Sequence, residues 1–396
     1  MSIFSTDSIT GGRGGRGGRG GRGGRGGRGG RGGRGGLEVD ESTLRSSALV
    51  TARDGLIGAW NQPTVNPKIP SDTINTQDKL RLWSPDVRQE ILLSEILDGI
   101  IFSSKNDNAN LLFINTDNIL SGAPVQFLCG LRNPSEQNFL NQLPFLNGYA
   151  ALRHERLDEV FWQLDDIVAF LGNPIGLVPD RHKYTFELLD LLQSATISVE
   201  MKMKHYLGCP RPVEYSSKIQ PAIDTPRHGT FPSGHSTESF MLASVLVKLF
   251  RAANSQSFDT IENFENQVVK PLEQQLYRQA ERIAANRVVA GIHFPIDNAA
   301  GMVLGCTLAE FFVRRMSGDG DVFSRRYGAN AVGDFFYKDI NRDYISFDKS
   351  NKDGEAPNPI SADAGIEKSD LLEWLWNKAK AEWVVNYEMV SHGTPS

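Results

Sequence analysis

Apolar residues recur at helical spacing along most of this chain, and strand-like alternation is hard to find. Ile91, Leu92, Ile96, Leu97, Ile100 and Ile101 share one stripe and predict an amphipathic helix. Further helical patterns run over 106–120, 136–144, 147–153, 155–171 and 181–206, with longer ones at 236–252 and 264–293. Pro295 opens another, 295–315, because a proline in a first turn gives up no N–H that the helix needs. A last helix over 369–390 starts at Ser369, a plausible N-cap, and sets Leu372, Leu375, Trp376, Ala379 and Trp383 on one side. Residues 57–84 and 317–367 are rich in Pro, Asn and Asp and read as irregular structure. The pattern predicts an all-α domain.

Residues 11–36 break this picture with an uninterrupted Gly-Gly-Arg repeat. The repeat has no apolar side chain to offset its ordering entropy, so residues 1–41 are expected to be a disordered tail, and 42–396 a single helical domain. Arg-Gly tracts can bind nucleic acid, but this one lacks interleaved aromatics. It also hides the charge of the rest. Without its eight arginines the chain has 34 basic against 47 acidic residues, a net of −13, which argues against a nucleic-acid binder or an anionic-membrane binder.

Cys129, Cys209 and Cys306 are too few and too scattered for a disulfide framework or a zinc site. The stretch Asp348–Glu355 superficially suggests a calcium loop, but Asp353 stands where that loop needs Gly, so no metal site is read. No signal sequence is visible in residues 1–10, and the apolar stretches at 240–247 and 299–313 look too short or too interrupted to span a membrane. The expectation is a cytoplasmic protein without a membrane span.

Three segments carry candidate chemistry. Lys204 and Arg211 lie seven apart at a helix end, the latter followed by Pro212. Pro232-Ser233-Gly234-His235 leads straight into a helix. Asn286, Arg287, His293 and Asp297 straddle the junction of two helical patterns. Together they describe a site for a tetrahedral or trigonal oxyanion. Lys204, Arg211 and Arg287 supply cations, and the guanidinium groups can grip phosphate oxygens in pairs. Ser233 adds a hydroxyl, and Gly234 offers an N–H at a helix N-terminus, where anions are favoured. His235 and His293 are candidates for general acid and nucleophile, and Asp297 could hold the His293 imidazole by its second nitrogen. Any one of these fragments is commonplace, but the whole set at fixed offsets is not.

The segments resemble, residue by residue, the signature of the phosphatidic acid phosphatase type 2 (PAP2)/vanadium-dependent haloperoxidase superfamily: Lys-x6-Arg-Pro, Pro-Ser-Gly-His and Arg-x5-His-x3-Asp. The resemblance covers about 187–312, within an expected catalytic core of about 187–316. It implies an all-α helical bundle of the acid phosphatase/haloperoxidase type with its pocket at helix ends. It also implies that His293 attacks phosphorus, or ligates vanadium, while His235 serves as acid and base. Lys204, Arg211, Ser233, Gly234 and Arg287 would hold the oxyanion. One departure is Asn286, which stands where a Ser usually precedes the arginine.

Both branches of the superfamily use this pocket. His228, seven residues before His235, suits the halide or substrate side of a haloperoxidase; Ser236 after the motif histidine and Met201 before Lys204 suit a phosphatase. The reading carried forward is a metal-independent phosphomonoesterase that works through a phosphohistidine, needs no cofactor and takes a small phosphorylated substrate. The alternative is a haloperoxidase with vanadate as cofactor and peroxide plus bromide or iodide as substrates. A third is a non-catalytic phosphate- or RNA-binding protein that uses the Gly/Arg tail, the one place where a nucleic-acid partner is entertained. Trp374, Trp376 and Trp383 on the terminal helix allow a homo-oligomer contact, and Gly301 and Gly305 predict close helix packing.

Overall fold

The computed structural model describes residues 47–55, 77–105, 107–116, 122, 124–254, 271–328, 333–336, 359–360 and 365–383. The Gly-Gly-Arg repeat and the stretch 348–355 lie outside them. The chain divides into two units, Met1–Ile74 and Asn75–Ser396. Of the first, residues 47–55 form an exposed helix.

The second unit is mainly helical, as the periodicity predicts. Its helices are α1 (Pro85–Leu97), α2 (Glu136–Ala150), α3 (Arg153–Asp165), α4 (Ile167–Gly172), α5 (Lys183–Leu207), the short α6 (Pro212–Tyr215), α7 (Gly234–Ala253), α8 (Pro271–Val289), α9 (Pro295–Ser317) and α10 (Asp370–Ala381). The strands are β1 (Ile100–Lys105), β2 (Asn108–Phe113), β3 (Gln126–Arg132), β4 (Val322–Phe323), β5 (Arg325–Gly328) and β6 (Pro359–Ile360). Residues 264–270 and 384–390 of the expected helices fall outside the described residues.

At the centre lie α7 and α9, which form the most extensive helix pair. Both are buried on nearly every side, so they show no polar stripe. Two glycines let them meet. A Cβ on Gly301 would stand 2.5 Å from the Ser233 carbonyl oxygen, and one on Gly305 would overlap the carbonyl of Thr237. Any larger residue would push the helices apart and open the site at their ends. Helix α9 is long and apolar enough to cross a membrane by length and composition, against the expectation from its interrupted pattern, but its apolar window is wholly buried inside the fold. A helix enclosed on all sides meets the same requirement for apolar residues as one in lipid.

The sheet corrects the sequence reading. Residues 108–113 do not belong to a helix over 106–120, and Ile100 and Ile101 do not extend the helix before them; they lie on β2 and β1. Strand β2 pairs antiparallel with β1 and β3, and β5 joins β3 in parallel. The alternation is present in β2: Ala109, Leu111 and Phe113 are buried while the residues between them are not. Phe113 packs on Phe311 of α9, with ring centroids 5.1 Å apart. Burial of this one face decides for strand, which six residues of mixed polarity could not show by periodicity. A second correction concerns 155–171, which breaks at Asp166 into α3 and α4; the Asp166 carboxylate caps the new helix by accepting from the Ala169 N–H at 3.0 Å. The expected helices 136–144 and 147–153 fuse instead into α2 up to Ala150.

Candidate active site

Every motif residue sits at a helix end, and the helix ends converge. Lys204 is in the last turn of α5 and Arg287 in the last turn of α8. Ser233 is the N-cap of α7, with Gly234 and His235 in its first turn. Asp297 is in the first turn of α9, two residues after Pro295. The link between α8 and α9 turns at Gly291, whose φ of +78° suits only glycine. Arg153 holds that link and the loop 219–220 together by donating to the carbonyls of Val289 (2.8 Å), Gln220 (2.8 Å) and Ile219 (3.1 Å).

His293 is fully enclosed, and its hydrogen bonds define its tautomer. Nδ1 lies 2.9 Å from Asp297 Oδ2, a carboxylate oxygen that accepts. The same oxygen accepts from Thr230 Oγ1 at 2.5 Å and from the Phe294 N–H at 2.9 Å. Nδ1 therefore carries the proton, and Nε2 presents a lone pair, toward which Arg211 Nη1 donates at 3.0 Å. Burial, reinforced by the positive field of Arg211, Lys204, His235 and His228, holds the His293 pKa well below its ordinary value. A neutral imidazole results, its Nε2 lone pair turned to Arg211. Burial raises the Asp297 carboxyl above its ordinary range, while the bonds from Thr230 and Phe294 act against that.

The cations are buried too. Lys204 Nζ donates to the carbonyls of Gly229 and Thr230, each at 3.3 Å, and to that of Pro232 in a closer contact. Arg211 donates to the carbonyls of His228 (3.0 Å), Ile292 (2.8 Å) and Gly229 (3.3 Å), and burial lowers its pKa to about 10. Arg287 has no accessible surface. Its Nη2 reaches the Val160 carbonyl at 3.1 Å and Gln163 Oε1 at 2.9 Å, while Nε and Nη1 have no partner among the described residues. Burial pulls its pKa down to about 9. The Ser233 hydroxyl is equally unsatisfied. An N-cap serine ordinarily spends its oxygen on the helix; this one makes no capping bond. Gly234 begins the same helix, where N–H groups have no intrahelical acceptor.

His235 points its Nε2 at the Gln163 carbonyl, 3.0 Å away, so Nε2 carries a proton. His228 stands at the edge, partly buried, with Nδ1 3.2 Å from Arg211 Nη2. Asn286, in place of the usual Ser, donates to Glu159 Oε2 at 3.0 Å and to Gln163 Oε1 at 3.1 Å. It ties α8 to α3 rather than reaching toward the pocket.

Two residues that the motif reading missed belong here. Thr230 completes the Asp297–His293 pair. Gln163 on α3 touches Arg287, Asn286 and His235. Thr230 could have been noticed as a hydroxyl three residues before Ser233. Gln163 carries no local signal, since its partners lie 72 to 124 positions away. Glu200, four residues before Lys204 on α5, is fully buried, and burial pushes its carboxyl up to about 8 despite the opposing fields of Lys204 and Arg211.

A mainly helical fold brings buried cations, unsatisfied donors and two enclosed imidazoles together at its helix ends. Residues 188–320 match the PAP2 superfamily, and this match supports membership of the PAP2/vanadium haloperoxidase superfamily. At the family level that gives a phosphatase-type function. Among curated proteins, none matches the chain.

Proposed function

We propose that this protein hydrolyses phosphomonoesters in two steps through a phosphohistidine at His293. The observation that carries the reading is the set of buried donors on Arg287 and Ser233 that no group among the described residues satisfies. An unmade hydrogen bond in the interior costs about 1–3 kcal/mol, and more for a charged group, so such a set is expected where a ligand completes it. A phosphoryl group has the acceptor oxygens to do so, and two guanidinium groups with a lysine match its charge.

In the first step the Nε2 lone pair of His293 forms the N–P bond as the ester P–O bond breaks. His235 enters as the imidazolium, keeps the Nε2 proton on the Gln163 carbonyl and gives its Nδ1 proton to the departing oxygen, which leaves as an alcohol. Asp297 accepts the Nδ1–H of His293 and offsets the positive charge that develops on the ring. Arg211 turns its Nη1 from the lone pair to a phosphoryl oxygen. In the second step His235, now neutral, takes a proton from water; the new O–P bond forms, the N–P bond breaks, and inorganic phosphate leaves. Burial keeps His293 unprotonated at neutral pH, as a nucleophile requires.

The test pairs two assays on the purified full chain. One is hydrolysis of p-nitrophenyl phosphate in the presence of a chelator; the other is bromination of a dye with peroxide and added vanadate. Hydrolysis inhibited by vanadate, without halogenation, is expected. Vanadate-dependent halogenation without hydrolysis would overturn the proposal.

A further inference from the structure

We propose that Gln163, contributed by α3 from outside the family segment, is a ligand of the bound phosphoryl group. This rests on the phosphatase reading of the site. The orientation of its carboxamide is settled by chemistry. Arg287 Nη2, which can only donate, lies 2.9 Å from Oε1, and Asn286 Nδ2, another donor, lies 3.1 Å from the same atom. A flipped amide would set N–H against N–H at both contacts. Oε1 therefore faces the arginine, and Nε2 is the atom left over. It is buried without a hydrogen-bond partner, on a residue with 1% of its surface exposed.

The company this orphan keeps indicates its ligand. The partners of Gln163 are Arg287, Asn286 and His235, and the last is held by its backbone carbonyl at 3.0 Å. Arg287 carries further unsatisfied donors of its own on Nε and Nη1. One residue thus contacts both an oxyanion-binding arginine and the general acid, and carries an unused N–H2 of its own. A group rich in acceptors satisfies all of these at once, and the phosphoryl oxygens are such a group. The carbonyl contact also fixes which His235 nitrogen holds a proton permanently, so the same residue orients the acid relative to the phosphorus it serves.

The experiment uses the full-length chain, with inorganic phosphate and orthovanadate as competitive inhibitors of p-nitrophenyl phosphate hydrolysis. Gln163→Leu is expected to weaken both inhibitors by roughly tenfold or more, the size of one hydrogen bond to a charged group. Gln163→Glu, which keeps the shape, is expected to weaken them further and to recover as the pH falls and the new carboxyl is protonated. A residue that only props up α3 would lower the melting temperature yet leave both inhibition constants and their pH dependence unchanged, and that result would overturn the proposal. Should Gln163→Leu not fold, Gln163→Glu provides the same decision. A parent protein that neither hydrolyses the ester nor binds phosphate would overturn the phosphatase reading and this assignment with it; normal parent activity with an unaltered Gln163→Glu variant would remove the assignment alone.

Discussion

Arg325 and Arg287 are equally buried and stand in opposite surroundings. Arg325 sets Nη1 and Nη2 against the two oxygens of Glu310, each at 2.7 Å, and adds Thr307 Oγ1 at 3.2 Å. Burial acts to lower its pKa, but Glu310 outweighs that and the pKa is raised. Arg287 meets a carbonyl and an amide, and burial lowers its pKa. The first cluster is matched in charge between α9 and β5, although Arg325 Nε makes no hydrogen bond among the described residues. The second has two nitrogens without a partner among them, Nε and Nη1, and no carboxylate among its hydrogen-bond partners. A buried charge that is matched within the protein reads as structure, whereas one that is unmatched reads as an unfilled binding site.

The comparison can be broken in several ways. Replacing His293 by Ala is expected to have the largest effect, a fall in kcat on the order of 10⁴-fold or more, as when a nucleophile is removed from a unit that acts together. Burst measurements of a phosphorylated intermediate should lose their signal as well. Unchanged turnover would end the mechanism. Arg287→Met should reduce kcat/KM by about 10²–10³-fold, the scale of a lost oxyanion donor. Its melting temperature should fall less than that of Arg325→Met, because no buried carboxylate is stranded. Arg325→Met leaves Glu310 buried without its guanidinium partner, for an expected loss of about 3–5 kcal/mol in chemical denaturation, while phosphate inhibition of the folded enzyme stays as it was. If the two arginines exchanged these effects, the contrast between matched and unmatched charge would be wrong.

A smaller effect concerns Glu200. Its folded pKa of about 8 lies above the ordinary 4.5, so the folded state binds a proton that the unfolded state has released between those values. Stability contributed by the neutral carboxyl is full below pH 4.5 and declines as the pH rises toward 8. Glu200→Gln should therefore melt higher than the parent by a margin that grows across that window. A constant margin would mean that Glu200 does not titrate there. The smallest effect is expected from removing residues 1–40: hydrolysis should stay within about twofold, since surface changes distant from a site are near neutral.

Much of this protein was legible in its sequence. Helices α5 and α7 to α10 follow from apolar spacing and from Ser369 and Pro295 at helix starts, because an amphipathic or wholly buried helix must advertise its period. Lys204, Arg211, Ser233, Gly234, His235, Arg287, His293 and Asp297 were readable because each lies at a fixed offset from its motif neighbours. What the chain could not state locally was decided by packing. Residues 108–113 became a strand because Phe113 found Phe311, and 155–171 broke because Asp166 could cap a second helix. The unsatisfied state of Ser233 and Arg287, the tautomers of both histidines and the place of Gln163 exist only once distant segments meet. Composition and spacing determine which groups can bind an oxyanion; only the fold decides which of their hydrogen bonds remain to be made, because satisfaction is a property of neighbours in space and not in sequence.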